Sequence, residues 1–154
     1  MRILVLADSH GDAFSCRMAI EKHPEAEVVV HLGDGEEDLD ALQQQLERHM
    51  VYCVRGNTWG SVAHGSPEKL CLELEGTRVY LCHGYAEKVK FGLDGLLAAA
   101  GEAGAEVALY GHTHRQYSTY LKGLHVLNPG SIKHGEYALL DITQAGIVAI
   151  LQKL

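Results

Sequence analysis

The amino-acid sequence predicts an α/β (α+β) fold, a four-layer αββα sandwich in which helices flank two packed, mixed β-sheets. Two observations lead to this prediction. Up to residue 54, short continuous apolar runs alternate with segments of helical periodicity, which is typical of parallel strands buried on both faces. After residue 65, short apolar segments follow one another through glycine turns and add the strands of a second sheet. The length of 154 residues suits one domain, which we expect to span residues 1–154.

The chain opens with five predicted elements in β-α-β-α-β order. Apolar runs predict strands at residues 3–7, 28–32 and 50–54. Between them, residues 12–22 and 36–49 are predicted to be helices. The side chains expected to face inward are Phe14, Met18 and Ile20 in the first helix and Leu39, Leu42 and Leu46 in the second. Right-handed crossovers between successive strands would make the three strands parallel.

Strands dominate the prediction for the second half of the chain. The segment KLCLELEGTRVYLCHG (69–84) alternates apolar and polar residues around Gly76-Thr77, which predicts a β-hairpin. Residues 91–104 predict a helix closed by glycine, and residues 106–110 predict another buried strand. The remaining short strands are predicted at residues 117–121, 124–127, 136–142 and 146–151.

The composition argues against several classes of protein. With 20 acidic and 13 basic side chains, the net charge of −7 argues against broad binding to nucleic acid or to anionic membranes. A small phosphate substrate is compatible with this charge, because bound metal ions can reverse it locally. The four cysteines form no CxxC pair, so the sequence supports neither a structural zinc site nor a thioredoxin-like motif. No apolar run approaches membrane-spanning length, and we expect a cytoplasmic protein with reduced thiols.

Asp, Asn or His residues follow five predicted strands at their carboxyl ends, where ligands bind in open α/β sheets. They are Asp8, His10, Asp34, Asn57, His83, His112 and His114. Each alone has a structural explanation, such as a helix N-cap for Asp8 or a turn for Asn57. Five coincidences at one edge of the sheet favour a metal site instead. Seven oxygen and imidazole ligands suit two ions of Mn, Fe, Zn, Ni or Co better than Ca²⁺ or Mg²⁺.

Five motifs in order carry a family resemblance: DSH (8–10), GD (33–34), GN (56–57), CHG (82–84) and GHTH (111–114). Their order and spacing resemble the calcineurin-like metallophosphoesterase superfamily, in particular its small single-domain bacterial and archaeal phosphodiesterases. The segments that resemble the closing strands of that subfamily are NPGS (128–131) and YALLDI (137–142). The resemblance implies a two-sheet sandwich flanked by helices.

The resemblance also implies a role for each predicted ligand. One ion would be held by Asp8, His10 and His114, and the other by Asn57, His83 and His112, with Asp34 as the bridge. Asp34, Asn57 and His112 are the predicted catalytic residues. A hydroxide held between the two ions would attack the phosphorus of a phosphodiester in line. The predicted cofactors are two divalent ions, with manganese favoured and nickel, iron, zinc or cobalt as alternatives.

The residues around Asn57 depart from the family pattern. Many members have a histidine directly after this asparagine that protonates the leaving group, and here the position holds Thr58, a poor acid. Trp59 and Tyr85 replace an aspartate and a histidine that often occur in small relatives. Loss of a general acid costs about 10²–10⁴-fold in rate when the leaving group needs a proton. We therefore predict activity on phosphodiesters with good leaving groups and weak activity on monoesters.

Three residues are predicted to contact the substrate, namely Arg55, Thr58 and Tyr85. Arg55 either holds a phosphate or forms a structural ion pair. Tyr85 and Trp59 either form an aromatic wall against the substrate or pack beneath the 60s loop or at a subunit contact, and packing is favoured for Trp59. His31 precedes the GD motif but is predicted to be a hydrogen-bonded core histidine.

Two other functions fit the resemblance. The retromer subunit of this fold is a non-catalytic scaffold, but all seven ligand types are retained here, which disfavours that role. A broad phosphomonoesterase is disfavoured by Thr58. The expected partner is a small phosphodiester, with no stable nucleic-acid binding and no membrane. Exposed edge strands leave a homo-oligomer open.

Overall fold

The computed structural model describes residues 1–154 and contains two five-stranded β-sheets. The strands are β1 (Arg2–Leu6), β2 (Val28–His31), β3 (Met50–Cys53), β4 (Lys69–Leu74), β5 (Thr77–Cys82), β6 (Val107–Leu109), β7 (Gln116–Leu121), β8 (Leu124–Pro129), β9 (Glu136–Thr143) and β10 (Gly146–Lys153). The α-helices are α1 (Ala13–Lys22), α2 (Gln43–Leu46), α3 (Trp59–His64) and α4 (Asp94–Glu102), and two 3₁₀ helices span Glu36–Leu42 and Ile132–His134. Sheet A has the order β10-β9-β1-β2-β3, and sheet B has the order β4-β5-β6-β8-β7.

Three parallel strands form one side of sheet A. β1 pairs with β2, from Ile3 opposite Val28 to Leu6 opposite His31, and β2 pairs in the same direction with β3. The predicted parallel arrangement of the first three strands is therefore confirmed. The antiparallel strands β9 and β10 complete the sheet on the other side of β1. Because β1 lies in the middle of the sheet and is covered on both faces, its apolar run is continuous.

Sheet B begins with the predicted hairpin, but the turn lies one residue earlier than predicted. Leu74 pairs with Thr77, so the two turn residues are Glu75 and Gly76. Both have positive φ angles, 50° and 75°, as a two-residue type I′ turn requires. Thr77 belongs to β5 instead, because its side chain is buried against the sheet.

Three apolar layers hold the sandwich together. The largest lies between the two sheets and includes Val5, Val30 and Leu109. A second layer packs sheet A against α1 and the first 3₁₀ helix, and a third packs sheet B against α4. The predicted four-layer αββα architecture is confirmed. Each helix is too short, or too polar, to cross a membrane.

The inward face of α1 agrees with the prediction at Ile20 but differs from it at Phe14 and Met18. Phe14 is 64% exposed and Met18 is 42% exposed, whereas Cys16, Ala19 and Ile20 are buried. These three residues recur at spacings of three and four and form the stripe that faces sheet A. The large side chains of Phe14 and Met18 lie outside this stripe, and the small Cys16 and Ala19 allow the helix to approach the sheet closely.

The predicted helix over residues 36–49 is shorter and tighter than expected. Only α2 is α-helical, and the seven residues before it form the first 3₁₀ helix. The three leucines predicted to face inward are buried. The 3₁₀ turn also brings Asp38 toward the strand ends, where its Oδ2 accepts a hydrogen bond of 2.6 Å from Ser9 Oγ.

An additional helix, α3, lies where a loop was predicted. It begins two residues after Asn57 and carries Ser61 into the protein, where the hydroxyl is completely buried. Trp59, at its first position, is 84% exposed. The predicted packing of Trp59 beneath this segment is therefore wrong.

Candidate metal centre

All seven predicted ligands follow strands whose carboxyl ends meet at one place. Sheet A contributes β1, β2 and β3, and sheet B contributes β5 and β6, so the site draws on both sheets. Six of the side chains form two groups whose ligand atoms lie within 4.8 Å of one another: Asp8, His10 and His114, and Asp34, His83 and His112. The seventh, Asn57, contacts the second group.

The first group is formed by Asp8, His10 and His114. Asp8 Oδ1 lies 3.2 Å from His114 Nε2 and 3.8 Å from His10 Nε2, and the two imidazole nitrogens are 3.2 Å apart. Asp8 is completely buried, yet its Oδ1 has no hydrogen bond of acceptable geometry. Burying an unsatisfied carboxylate oxygen is costly, so these three convergent donor atoms fit a cation. Asp8 does not cap α1, because Asp12 fills that position.

The second group centres on the Nε2 atom of His83. This nitrogen lies 3.0 Å from Asn57 Oδ1, 3.1 Å from His112 Nδ1 and 3.4 Å from Asp34 Oδ2. His83 Nδ1 contacts the backbone oxygen of Leu32 at 2.7 Å, and only a protonated Nδ1 can donate to that oxygen. In the neutral ring the lone pair of Nε2 therefore points at the group, which is the orientation a metal ligand needs.

Backbone strain is concentrated in the predicted ligand residues. Only eight non-glycine residues in the chain have positive φ. Five of them are predicted ligands: Asp8 (55°), His10 (46°), Asp34 (57°), His112 (69°) and His114 (56°). The left-handed conformation costs an L-residue roughly 1–2 kcal/mol, and such strain clusters at functional sites. The loops therefore aim these side chains in directions that regular strands would not give them.

Asp34 is held by backbone donors on the loop after β3. Its Oδ1 accepts hydrogen bonds from the N–H groups of Asn57 at 2.7 Å and Thr58 at 2.9 Å, which leaves Oδ2 toward His83. Burial alone would raise the pKa of Asp34. The hydrogen bond and charge of His83 and the N–H of Thr58 outweigh burial and hold the pKa well below its usual range. Asp34 is therefore a carboxylate at neutral pH.

The two histidines of the second group have pKa values that move in opposite directions. Burial, together with the charges of His83 and Lys90, lowers the pKa of His112 to about 4. Burial also acts to lower the pKa of His83, but the hydrogen bond to Asp34 and the charge of Asp8 outweigh it and raise that pKa above its ordinary value. His112 is consequently neutral at pH 7, which is the form that binds a metal ion.

Two buried residues that the sequence did not single out support the loop after β3. Ser61 Oγ of α3 accepts a hydrogen bond from the N–H of Gly56 and contacts both carboxylate oxygens of Glu36, one at 2.7 Å. Glu36 is almost completely buried at the start of the first 3₁₀ helix. No local pattern indicated this pair, because it joins segments 25 residues apart.

The NPGS motif supports the other loops of the site. Asn128 Nδ2 donates to the backbone oxygen of Gly111 at 2.8 Å and contacts Thr113 Oγ1 at 3.1 Å, which anchors the GHTH segment. Ser131 Oγ donates to the backbone oxygen of Asp8 at 2.8 Å. Both side chains are completely buried. The NPGS motif was recognised in the sequence as part of a closing strand, but these contacts were not predicted from it.

His31 is the hydrogen-bonded core histidine that the sequence predicted. It is completely buried, and its Nδ1 accepts a hydrogen bond of 3.2 Å from the N–H of Gly33. Its Nε2 contacts Ser9 Oγ at 3.1 Å, and Ser9 in turn contacts Asp38. Burial lowers the pKa of His31 to about 4, although the charge of Asp8 opposes the shift.

The lowered pKa of His31 makes stability depend on pH. Between the ordinary pKa of about 6.5 and the folded-state pKa of about 4, only the unfolded chain binds the proton. The free energy of unfolding should therefore be constant with respect to this group above pH 6.5 and fall as the pH decreases toward 4. A shift of this size corresponds to about 2–3 kcal/mol between pH 7.5 and 4.5. Urea denaturation in EDTA at the two pH values measures it.

The matched variant for this measurement is His31→Gln, which removes the titrating group. It should show a smaller loss of unfolding free energy between the two pH values than the unaltered chain. His125→Gln, which replaces a histidine packed on Tyr120 at the surface, serves as the control. Equal losses in the unaltered chain and in His31→Gln would contradict the assignment.

Two of the residues predicted to bind substrate line a cleft of about 440 Å³ beside the second group. Arg55 Nη2 lies 3.5 Å from Glu68 Oε2 at the rim of this cleft, so its guanidinium forms the ion pair that was the structural alternative. Tyr85 is 62% exposed, and its ring meets that of His112 edge-on with centroids 5.5 Å apart. Thr58 contacts the group through its backbone N–H.

The two-sheet sandwich and its paired groups of candidate ligands are the features expected of a calcineurin-like phosphoesterase. The model of the calcineurin-like phosphoesterase superfamily domain matches residues 1–145, and the chain belongs to this superfamily. The chain is similar to the probable metallophosphoesterase YsnB of Bacillus subtilis (strain 168), with 31% identity over 134 residues that cover 86% of this chain and 76% of the relative. These findings confirm the predicted family and place the chain among the metallophosphoesterases.

Solved structures share the fold over nearly the whole chain. A predicted phosphoesterase from Streptococcus pneumoniae TIGR4 is 28% identical with a TM-score of 0.81, over 99% of this chain and 88% of that one. An archaeal phosphodiesterase is 21% identical with a TM-score of 0.79, over 99% and 100%. Vps29 from Entamoeba histolytica, in complex with Zn²⁺, is 19% identical with a TM-score of 0.73, over 99% of both chains. At the identities of the last two, the likeness concerns the fold alone.

Proposed function

We propose that the chain is a dinuclear-metal-dependent phosphodiesterase formed by a single domain of residues 1–154. The observation that carries the proposal is the pair of adjacent ligand groups, which meet where Asp8 Oδ2 accepts a hydrogen bond of 2.9 Å from the N–H of His112. We assign one ion to Asp8, His10 and His114 and the other to Asn57, His83 and His112, with Asp34 shared between them. Manganese is favoured, and nickel, iron, zinc and cobalt also suit oxygen and imidazole donors.

The proposed chemistry divides between the ions and the side chains that hold them. When bound, two divalent cations lower the pKa of a water molecule and offset the negative charge of a phosphodiester. Asp34 keeps one carboxylate oxygen on its two backbone donors, so its other oxygen stays oriented toward the second group. Asn57 supplies an amide oxygen without adding negative charge. A third carboxylate in place of this amide would make the site repel an anionic substrate more strongly.

The expected preference for activated leaving groups rests on Thr58. This residue follows Asn57 and directly precedes α3, and its backbone N–H donates a hydrogen bond to Asp34. A threonine hydroxyl is too weak an acid to protonate an alkoxide leaving group at neutral pH. Diesters with aryl or otherwise activated leaving groups do not need that proton. An archaeal phosphodiesterase shares this fold, so diester hydrolysis is compatible with the fold.

The substitution Thr58→His tests this preference. It should raise kcat/KM for an alkyl phosphate monoester by about 10²-fold, because it restores a proton donor, and change the hydrolysis of bis(p-nitrophenyl) phosphate little. Both substrates are measured with each candidate metal. Thr58→Asn is the control, since it adds a polar side chain that cannot act as an acid. A wild-type preference for alkyl monoesters over the activated diester would contradict the proposal.

The alternative functions are less well supported. A non-catalytic scaffold gains nothing from five strained ligand residues, whereas a metal site does. Purified protein that carries less than one equivalent of divalent metal, and that binds added Mn²⁺ weakly, would favour the scaffold. A broad phosphomonoesterase would need the proton donor that Thr58 lacks.

A further inference from the structure

The segment from Tyr85 to Phe91, which we call the 85–91 loop, follows β5 and the ligand His83. Together with Asn57 and His112 it lines a cavity of about 770 Å³. This volume lies in the range of small-molecule binding sites. The cavity adjoins the cleft lined by Arg55, and Asn57, Tyr85 and Ala86 line both.

The 85–91 loop is anchored from within. Val89 is buried in the layer beneath α4, and the N–H of Val89 donates to the backbone oxygen of Gly84 at 3.1 Å. A Cβ atom at Gly84 would lie only 2.7 Å from Val89 Cγ2, so glycine is required for this close packing. Glu87 Oε1 also accepts a hydrogen bond of 3.1 Å from the hydroxyl of Tyr80. The backbone of the loop is therefore held in place, and the exposed side chains project from fixed positions.

Lys88 and Lys90, on either side of the buried Val89, are exposed and line the cavity. Neither ammonium has a carboxylate within 4 Å, although the chain has 20 acidic residues and a net charge of −7. Two unpaired cations in one cavity favour an anionic ligand. The neighbouring cleft differs, since Glu68 and Glu87 line it beside Arg55.

Two aromatic rings complete the cavity. Phe91 is 93% exposed and Tyr85 is largely exposed, yet both belong to a loop whose backbone is hydrogen-bonded internally, with the N–H of Phe91 donating to Lys88. Exposed rings on a fixed loop suit stacking against a planar ring of a ligand. Tyr85 is oriented by its edge-on contact with His112.

We propose that the 85–91 loop forms a subsite for a second phosphate and a nucleobase, so that the enzyme prefers short nucleotides that carry a phosphate group in addition to the diester that is cleaved. One phosphate would bind at the second ligand group, the base would stack on Tyr85 or Phe91, and the other phosphate would contact Lys88 and Lys90. This inference rests on the proposed function for the role of the first phosphate. It adds the substrate class, which the ligand groups alone do not specify.

The test compares the binding of two nucleotides by calorimetry. Thymidine 3′,5′-bisphosphate and thymidine 3′-phosphate differ only in the second phosphate, and each is titrated into the Mn²⁺-loaded protein. The bisphosphate should bind about tenfold more tightly. The double variant Lys88→Gln/Lys90→Gln should remove most of this ratio, and so should 0.5 M NaCl, because exposed charges are screened at that ionic strength. Lys22→Gln on α1 should leave the ratio unchanged.

Hydrolysis of bis(p-nitrophenyl) phosphate separates this inference from the proposed function. The double variant should hydrolyse it within twofold of the unaltered protein, because this substrate has no second phosphate. Equal affinities for the two nucleotides in an active enzyme would overturn the subsite alone. If no metal supports hydrolysis, the proposed function fails, while the ratio of affinities still decides whether the loop binds a second phosphate.

Discussion

Replacing Asp34 with asparagine is expected to lower the rate of diester hydrolysis by about 10³-fold while the fold survives. The amide oxygen can still accept the hydrogen bonds from Asn57 and Thr58, so the loop geometry should remain. What is lost is the negative charge that the proposal places between the two ions. The affinity for the ion of the second group should fall with it.

The measurements for Asp34→Asn are kcat on bis(p-nitrophenyl) phosphate, metal content per chain and thermal unfolding in EDTA. The control is Asp40→Asn, the same chemical change at an exposed position where the carboxylate lies 3.5 Å from His64 Nε2. Full activity of Asp34→Asn with two ions bound would refute the bridging role. Unfolding of the variant in EDTA would instead show that Asp34 is needed for the fold.

Gly56→Ala is expected to destabilise the protein by about 3 kcal/mol or more and to abolish metal binding. A Cβ atom at this position would overlap Oδ1 and the backbone nitrogen of Asp34 and lie 2.7 Å from its Cγ. The backbone cannot yield easily, because the N–H of Gly56 is hydrogen-bonded to the buried Ser61. Glycine is thus required in the GN motif because Asp34 lies too close to Gly56 to leave room for a side chain.

Gly101→Ala provides the matched comparison. Gly101 lies in α4, and a Cβ atom there would meet nothing within 4 Å. The same substitution should therefore stabilise the protein by about 0.5–1 kcal/mol through helix propensity. Urea denaturation measures both free energies of unfolding. Similar effects at the two positions would show that the contact with Asp34 does not decide the outcome.

Much of the fold followed from the sequence because its strands carry a strong local signal. The continuous apolar runs that became β1 and β2 are buried on both faces, and the polar residues after them stand where parallel strands end. The set of seven candidate ligands was predictable for the same reason, whereas its division into two groups came from the family resemblance. Whether a residue follows a strand can be recognised along the sequence. Because the strands concerned are parallel, their five carboxyl ends lie together in the fold.

Other features depend on contacts between distant segments and left no local pattern. The helix α3 is short and gives little local signal. The hydroxyl of Ser61 has a structural role only because Glu36, from another part of the chain, forms a hydrogen bond with it. The contacts of Asn128 with the GHTH segment likewise require the finished fold. Ile20 on the inner face of α1 was predicted, but Cys16 and Ala19 were missed because close packing selects small side chains, which are less hydrophobic than Phe14.

The left-handed backbone of the ligand residues bears on how such a protein can change over time. Glycine adopts this conformation freely, whereas Asp8, Asp34 and His112 adopt it at a steric cost. A mutation from one of them to glycine would therefore remove a proposed metal ligand and relieve the backbone in the same step. In a lineage where catalysis is no longer selected, the ligands can be lost one at a time without backbone strain opposing the loss. The sandwich would then remain as a stable surface, free to acquire other partners after its chemistry has gone.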